Sequence, residues 1–319
     1  GGEKPVRTLS IESIRRRLQL IHAHGIKNVR VLDRTFNYNP RRAKELLRLF
    51  LEFHPDIRFH LEIHPALLSE ELKEELSLLP KGLLHLEAGI QSLREPVLEK
   101  SRRMGKLSDA LDGLRFLCAL PNMETHADLI AGLPLYHLHE IFEDVRTLAG
   151  YAAGEIQLES LKLLPGTEMR RRAEESGIKY SPLPPYEVLQ THEISVSELQ
   201  TARQLSRLLD GFYNTPAWQA LTRELILNDE QFLHRFLAYL TKANLIDQPM
   251  SLEKRGLILY EFCKQNYPEY QIQAAIAWHV TEKASRRESM DQTTNSSCYL
   301  EYHLWRIQRK PSSVFPSCR

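Results

Sequence analysis

Five short β-rich runs, each followed by a helix with its own start signal, constrain this chain more than any other feature. They are NVRVLD (28–33), IRFHLEI (57–63), LLHLEAG (83–89), METHADLIAG (123–132) and EIQLESLKLL (155–164), and they open at spacings of 29, 26, 40 and 32 residues. Asn39-Pro40 is an N-cap and first-turn pair ahead of RRAKELLRLFLEF, and Ser69 caps EELKEELSLL. Helical segments are predicted around 94–101 and 108–119, then over LHEIFEDVRTLAGY and PGTEMRRRAEES. Ser10 opens a helix ahead of the first run, and Gly25 closes it. Strand–helix alternation at this period implies parallel strands with right-handed crossovers.

Periodicity alone leaves an open doubly wound sheet and a barrel both standing. The polar residues point toward the barrel. In FHLEIHP (59–65) the residues Phe59, Leu61 and Ile63 face one way, while His60, Glu62 and His64 face the other. The same parity holds His85, Glu87 and Gly89, then Glu124, His126 and Asp128, then Glu155, Gln157 and Glu159. A dry parallel sheet reads as nearly continuous apolar runs. Four neighbouring strands with one polar parity instead indicate a wide or incomplete barrel whose interior holds a ligand.

The pattern changes near Tyr186. Residues 186–209, 216–227, 230–243, 252–265 and 268–282 read as helices with no strand runs between them. The expected organisation is an α/β partial barrel over 1–185, a helical region over 186–284, and a Ser-, Arg-, Thr- and Asn-rich tail over 285–319 that is expected to be disordered.

The totals exclude several function classes. Lys and Arg number 42 against 41 Asp and Glu, for a net charge of +1, which favours neither nucleic acid nor anionic membrane as a partner. The runs Arg15-Arg16-Arg17 and Arg170-Arg171-Arg172 read as solvated helix faces. No apolar run has the length of a membrane span and no signal peptide is present, so the expected location is the cytoplasm. The cysteines Cys118, Cys263, Cys298 and Cys318 are far apart, which indicates neither a zinc site nor a disulfide framework.

In parallel βα barrels the working residues gather at the carboxyl ends of the strands. Here those ends carry Asp33-Arg34-Thr35, then Glu62 and His64, then Glu87, Gly89, Gln91 and Ser92, then Asp128 and Gly132, then Pro165-Gly166-Thr167. Carboxylates and an amide suit ribose hydroxyls and an ammonium group, and glycines let a flat ring approach backbone. The same residues also have structural readings. Glu62 or Glu87 could pair with an arginine, Gly89 and Gly132 could mark tight βα turns, Thr167 could cap a helix, and His60, His64 and His85 could be hydrogen-bonded core histidines.

The motifs EAGIQS (87–92), ADLIAGLP (127–134) and LKLLPGT (161–167), in this order, resemble the radical S-adenosylmethionine (SAM) enzymes. The wider stretches LEIHPALL, GLLHLEAGIQS, LCALPNMETHADLIAGLP, ESLKLLPGT and SLEKRGLILYEF are similar to a bacterial group in which a cobalamin-binding domain precedes the radical barrel and a helical domain of unknown function follows. The resemblance covers about residues 10–282. It implies strands two to six of a partial (β/α)6 barrel, with SAM, a [4Fe-4S] cluster and cobalamin as cofactors and a flavodoxin or ferredoxin as reductant. The implied activity is reductive cleavage of SAM to a 5′-deoxyadenosyl radical, with cobalamin-dependent methyl or group transfer.

By the same resemblance Glu62 meets the methionine amino group, Gln91 and Asp128 meet the ribose, Arg103 lies near the cofactor carboxylate, and Leu163 and Leu164 offer backbone to adenine. Glu87, Gly89, Ser92 and Gly132 complete the cofactor-binding set. Asp33-Arg34-Thr35 stands where many members carry Gly-Gly-Glu, a departure that Gly1-Gly2-Glu3 does not repair. The larger departure is the cluster loop: no CxxxCxxC exists in the chain. The chain begins with Gly and its first element is a helix, so a truncated product that lacks strand one and the cluster loop, inactive alone, is the expectation. Two alternatives remain open at this stage. One is a metal-dependent hydrolase using His60, Glu62, His64, His85 and Asp128, and the other is a non-catalytic scaffold.

Overall fold

A computed structural model describes residues 8–33 and 35–286. The expected disorder of the tail beyond 286, the cysteines Cys298 and Cys318, and Arg34 lie outside them. The chain divides into two compact units, residues 1–210 and 211–319.

The first unit is built on the strands β1 (Asn28–Arg30), β2 (Arg58–Ile63), β3 (Leu84–Gln91), β4 (Glu124–Ala131) and β5 (Glu155–Ser160), all parallel and in the order β1-β2-β3-β4-β5. This is the half-barrel expected from the sequence. Its helices are α1 (Ile11–Ala23), α2 (Pro40–Leu51), α3 (Glu70–Leu78), α4 (Glu95–Lys100), α5 (Leu107–Ala119), α6 (Leu138–Gly150), α7 (Glu168–Arg171) and α8 (Val196–Leu208). The start signals work as read: Ser10, Asn39 and Ser69 each accept a hydrogen bond from the backbone N–H three residues on. The apolar parity of each strand is buried. Phe59, Leu61 and Ile63 are at most 3% exposed, and Phe59 stacks on Phe50 of α2 with ring centroids 4.0 Å apart. Burial of such a side chain contributes about 1.5–3 kcal/mol. That drive fixes which parity turns to the helices and leaves the polar parity for the interior.

Three local readings are corrected. The first strand is shorter than NVRVLD and ends at Arg30. The helix predicted over PGTEMRRRAEES shrinks to the single turn α7, followed by a 3-10 turn at Glu174–Ser176. Residues 186–195 are not helical: β6 (Lys179–Tyr180) and β7 (Val188–Gln190) form an antiparallel pair. The Val188 N–H donates to Leu161 O at 2.8 Å and the Ser181 N–H to Glu187 O at 2.8 Å. Long-range partners thus supply the backbone hydrogen bonds that a helix would have made locally. The helical run begins only at α8, capped by Ser195 and Glu198 in a reciprocal box.

The second unit holds α9 (Gln219–Asn228), α10 (Phe232–Lys242), α11 (Leu252–Asn266) and α12 (Gln271–Arg286). Its core is aromatic. Phe236 contacts Phe262 at 4.6 Å and Phe212 at 4.8 Å between ring centroids, and Phe232 and Tyr267 close the cluster.

Candidate functional site at the strand ends

The polar parity forms two tiers inside the half-barrel. The lower tier is set by register: Arg30 pairs with His60, His60 with His85, Glu87 with His126, and His126 with Glu155. It opens on a cavity of about 410 Å³ lined by Asn28, Arg30, Arg58, His60, His85, Glu124 and Glu155, among others. Glu87 is its hub. The Glu87 carboxylate lies 2.8 Å from His60 Nε2, 2.5 Å from Arg30 Nη2 and 3.6 Å from His126 Nε2. His126 foremost, then His60, holds Glu87 well below the usual carboxylate range, against the opposing effect of burial. Burial works against charge on His126, but Glu155 and Glu87 outweigh it and lift that imidazole to about 9. His85 moves the other way, lowered by burial and by repulsion from His126 and His60.

The upper tier, at the carboxyl ends of the strands, is a second cavity of about 240 Å³. It is lined by Glu62, Ile63, His64, Glu87, Gly89, Gln91, Arg103, Asp128, Ile130, Gln157 and Glu159. The structure therefore brings together Glu62, Glu87, Gly89, Gln91, Arg103 and Asp128 of the set predicted from sequence. Arg103 donates from Nη2 to Gly89 O at 2.5 Å, and a side chain at position 89 would meet that guanidinium at 3.3 Å. Glycine there lets the arginine lie against the strand. Gln91 sits at a bulge between Gly89 and β4 with φ of 70°, a left-handed conformation costly for a non-glycine residue and concentrated at working sites. Asp128 Oδ1 is buried without a hydrogen-bond partner. Burial raises the Asp128 carboxyl, the positive charge of His126 opposes that rise, and Glu87 and Glu62 add to it.

Ser92, Gly132, Leu163 and Leu164 do not line this cavity. Ser92 joins a buried network centred on Asp144, which accepts from Leu93 N–H at 2.8 Å, Tyr136 OH at 2.6 Å and Arg94 Nε at 2.9 Å, and from Ser92 Oγ at 3.4 Å. Gly132 makes the turn after β4 with φ of 89°. The Leu163 N–H donates to Tyr186 O at 2.8 Å and its carbonyl accepts from Arg170 at 2.9 Å, while the Leu164 carbonyl accepts from Thr167 Oγ1 at 2.8 Å. Backbone groups proposed for adenine thus already have partners within the chain. Asp33 is exposed.

Sequence reasoning named His64 and His126 on the inner parity but left both out of the cofactor-binding set. His64 lines the upper cavity at 3% exposure with neither ring nitrogen partnered, and burial followed by the charge of Arg103 lowers it to about 4. Its backbone is clamped by Asn37, whose amide donates to His64 O and accepts from His64 N–H, both at 2.9 Å. His126 was visible only as one member of a polar parity, and nothing local marked it as the deepest of three neighbouring imidazoles.

A parallel half-barrel with an acid- and amide-lined mouth is the architecture of the radical SAM class, and residues 1–148 match the Radical SAM superfamily model. Over those residues the chain is similar to that superfamily. Residues 174–297 match the model of a protein of unknown function, DUF4080. No curated protein matches it. Among solved structures it is similar to the radical SAM methyltransferase TsrM from Kitasatospora setae with tryptophan and a SAM analog, at TM-score 0.46 and 19% identity over 55% of this chain and 36% of that one. It is also similar to Elp3 of Methanocaldococcus infernus, at TM-score 0.44 and 14% identity over 73% and 59%. A third match is the cobalamin-dependent SAM radical enzyme OxsB, at TM-score 0.48 and 12% identity over 96% and 52%. The chain spans 36% and 40% of the length of the two TsrM structures.

Among the described residues the cysteines do not supply the three neighbouring thiolates of an iron–sulfur cluster loop. Cys118 and Cys263 are the free cysteines among the described residues, and they lie in different compact units. Burial pushes the first up to about 11, and burial with Glu269 pushes the second up to about 12, far from the thiolate form that iron requires. No described helix is long and apolar enough to cross a membrane.

Proposed function

We propose that the upper cavity is the SAM-binding face of a radical SAM enzyme, and that this chain supplies recognition of the cofactor but not its redox chemistry. The observation that carries the reading is the buried, unpartnered Oδ1 of Asp128 in a cavity shared with Glu62, Gln91 and Arg103. An orphaned buried acceptor calls for a donor from a ligand, and a ribose hydroxyl is such a donor. Glu62 is suited to an ammonium group and Arg103 to a carboxylate, so these two charges match the zwitterionic methionine end, with Asp128 beside the neighbouring ribose. Ser92, Gly132, Leu163 and Leu164 have a more distant part in this reading, as supports for the mouth.

Radical SAM chemistry in the complete protein would need a [4Fe-4S] cluster held by thiolates from outside residues 1–319. The resemblance adds cobalamin-dependent methyl or group transfer, a flavodoxin- or ferredoxin-type reductant and a cytoplasmic setting to the proposal. The test is SAM binding by a version of the protein extended with a CxxxCxxC strand and loop. A hydrogen bond to a charged group is worth about 1.5–3 kcal/mol, so Asp128→Ala should weaken binding about ten- to a hundredfold without lowering the melting temperature of the ligand-free protein. A variant that melts early yet binds normally once folded would make Asp128 a structural residue.

A further inference from the structure

The lower tier is not explained by SAM recognition. His60, His85 and His126 come from three adjacent strands, with ring centroids 4.6, 4.8 and 5.4 Å apart. Each offers a ring nitrogen within 4.8 Å of the others. The Nε2 of His126 is buried and makes no hydrogen bond, its nearest charged neighbour being the Glu87 carboxylate at 3.6 Å. We propose that these three imidazoles form a binding site for one divalent first-row transition cation, zinc by its ligand chemistry, at the amino-terminal end of the half-barrel.

Three features support the assignment. First, every histidine has a carboxylate at one ring nitrogen. Glu87 lies 2.8 Å from His60 Nε2, Glu124 3.5 Å from His85 Nδ1, and Glu155 3.6 Å from His126 Nδ1. Carboxylate–histidine pairs of this kind orient metal-ligating imidazoles and raise their basicity. Second, the donor set is imidazole, which suits zinc and its neighbours rather than magnesium or calcium. Third, His60 and His85 line the 410 Å³ cavity while His126 lies behind them, 3% exposed. A cation bound there would keep a position open to water or substrate, as three-ligand zinc sites do. Two ligands about 2.0–2.1 Å from a tetrahedral ion stand roughly 3.3 Å apart, so nitrogens that lie within 4.8 Å of one another need to close by up to about 1.5 Å.

Arg58 is the counterweight. It donates to His85 Nδ1 at 2.8 Å and also reaches Glu124. Loading requires Arg58 to keep only Glu124, so that His85 carries its proton on Nδ1 and presents Nε2 to the ion. Arg30, bound to Glu87 at the same level, has to turn toward solvent, where its side chain is already 53% exposed.

The proposal is independent of the SAM reading, and its test uses the chain as it stands. Chelator-stripped protein is titrated with Zn²⁺, separated from free metal and analysed for bound metal, and is titrated in parallel with Co²⁺ while its visible absorption is followed. One equivalent of zinc and a tetrahedral cobalt spectrum are expected. His60→Gln and His85→Gln should each weaken binding by at least about tenfold, while Glu71→Gln on the outer helix α3 leaves it unchanged. Zinc should also raise the melting temperature of the parent chain and not that of His85→Gln, a readout that does not depend on His126 variants folding. Failure to retain zinc, or retention unaffected by His60→Gln and His85→Gln, would overturn it.

Discussion

Mild acid should destabilise the half-barrel through His64, and the size of the effect follows from its surroundings. The imidazole is 3% exposed, its two ring nitrogens are unpartnered, and burial with Arg103 lowers it from 6.5 to about 4. In the unfolded chain it returns to about 6.5. The folded value is depressed, so between these limits the unfolded state takes up a proton that the folded state refuses. Stability is full above pH 6.5 and falls as the pH drops toward 4. The gap of about 2.5 pH units (6.5 − 4) sets a ceiling of about 3.4 kcal/mol at about 1.36 kcal/mol per unit, and at pH 5 the linkage expression gives about 2 kcal/mol. His64→Leu removes the proton site and keeps an apolar side chain of similar volume in the pocket. Equilibrium denaturation followed by circular dichroism at pH 8 and pH 5 should show the parent chain losing about 2 kcal/mol more than His64→Leu. Other groups titrate in both proteins, so only this difference is read. Equal losses in the two proteins, or a His64 proton resonance that titrates near 6.5, would refute the reasoning.

Three further outcomes test the scaffold and the cluster assignment. Gly113 of α5 has no room for a side chain, because a Cβ there would stand 2.1 Å from the Pro65 carbonyl oxygen. Gly113→Ala should cost about 3 kcal/mol or more, the upper range for overpacking, and a denaturation midpoint within error of the parent would rule out that contact. Asp144→Ala leaves Arg94, Tyr136 and the Leu93 N–H without their shared acceptor, with an expected loss of about 3–5 kcal/mol; Asp144→Asn should recover part of it in the same assay. Anaerobic reconstitution of this chain with iron and sulfide should yield no stoichiometric four-iron cluster, and a cluster lost on replacing Cys118 or Cys263 would contradict the misfit of those thiols.

Much of the fold was legible because its determinants are local. The alternation in FHLEIHP, the caps at Ser10, Asn39 and Ser69, and the recurrence of strand and helix are all short-range patterns, and each reports directly on the period of its own element. The mouth residues Glu62, Gln91 and Asp128 were legible for the same reason: in a parallel βα unit the last polar residues of a strand must arrive at one end of the sheet. Residues 186–195 were misread because the hydrogen bonds that make β7 a strand come from Leu161 and Ser181, and helical spacing cannot register a partner so far along the chain. Tertiary structure alone drew Ser92 into the Asp144 network and gave the Leu163 carbonyl to Arg170. It also decided that His60, His85 and His126 meet. Parity placed each imidazole on the inner face, but only strand register and the curvature of the sheet set their depth, and distances of 4.6 to 5.4 Å between rings are properties of three strands together that no single strand encodes.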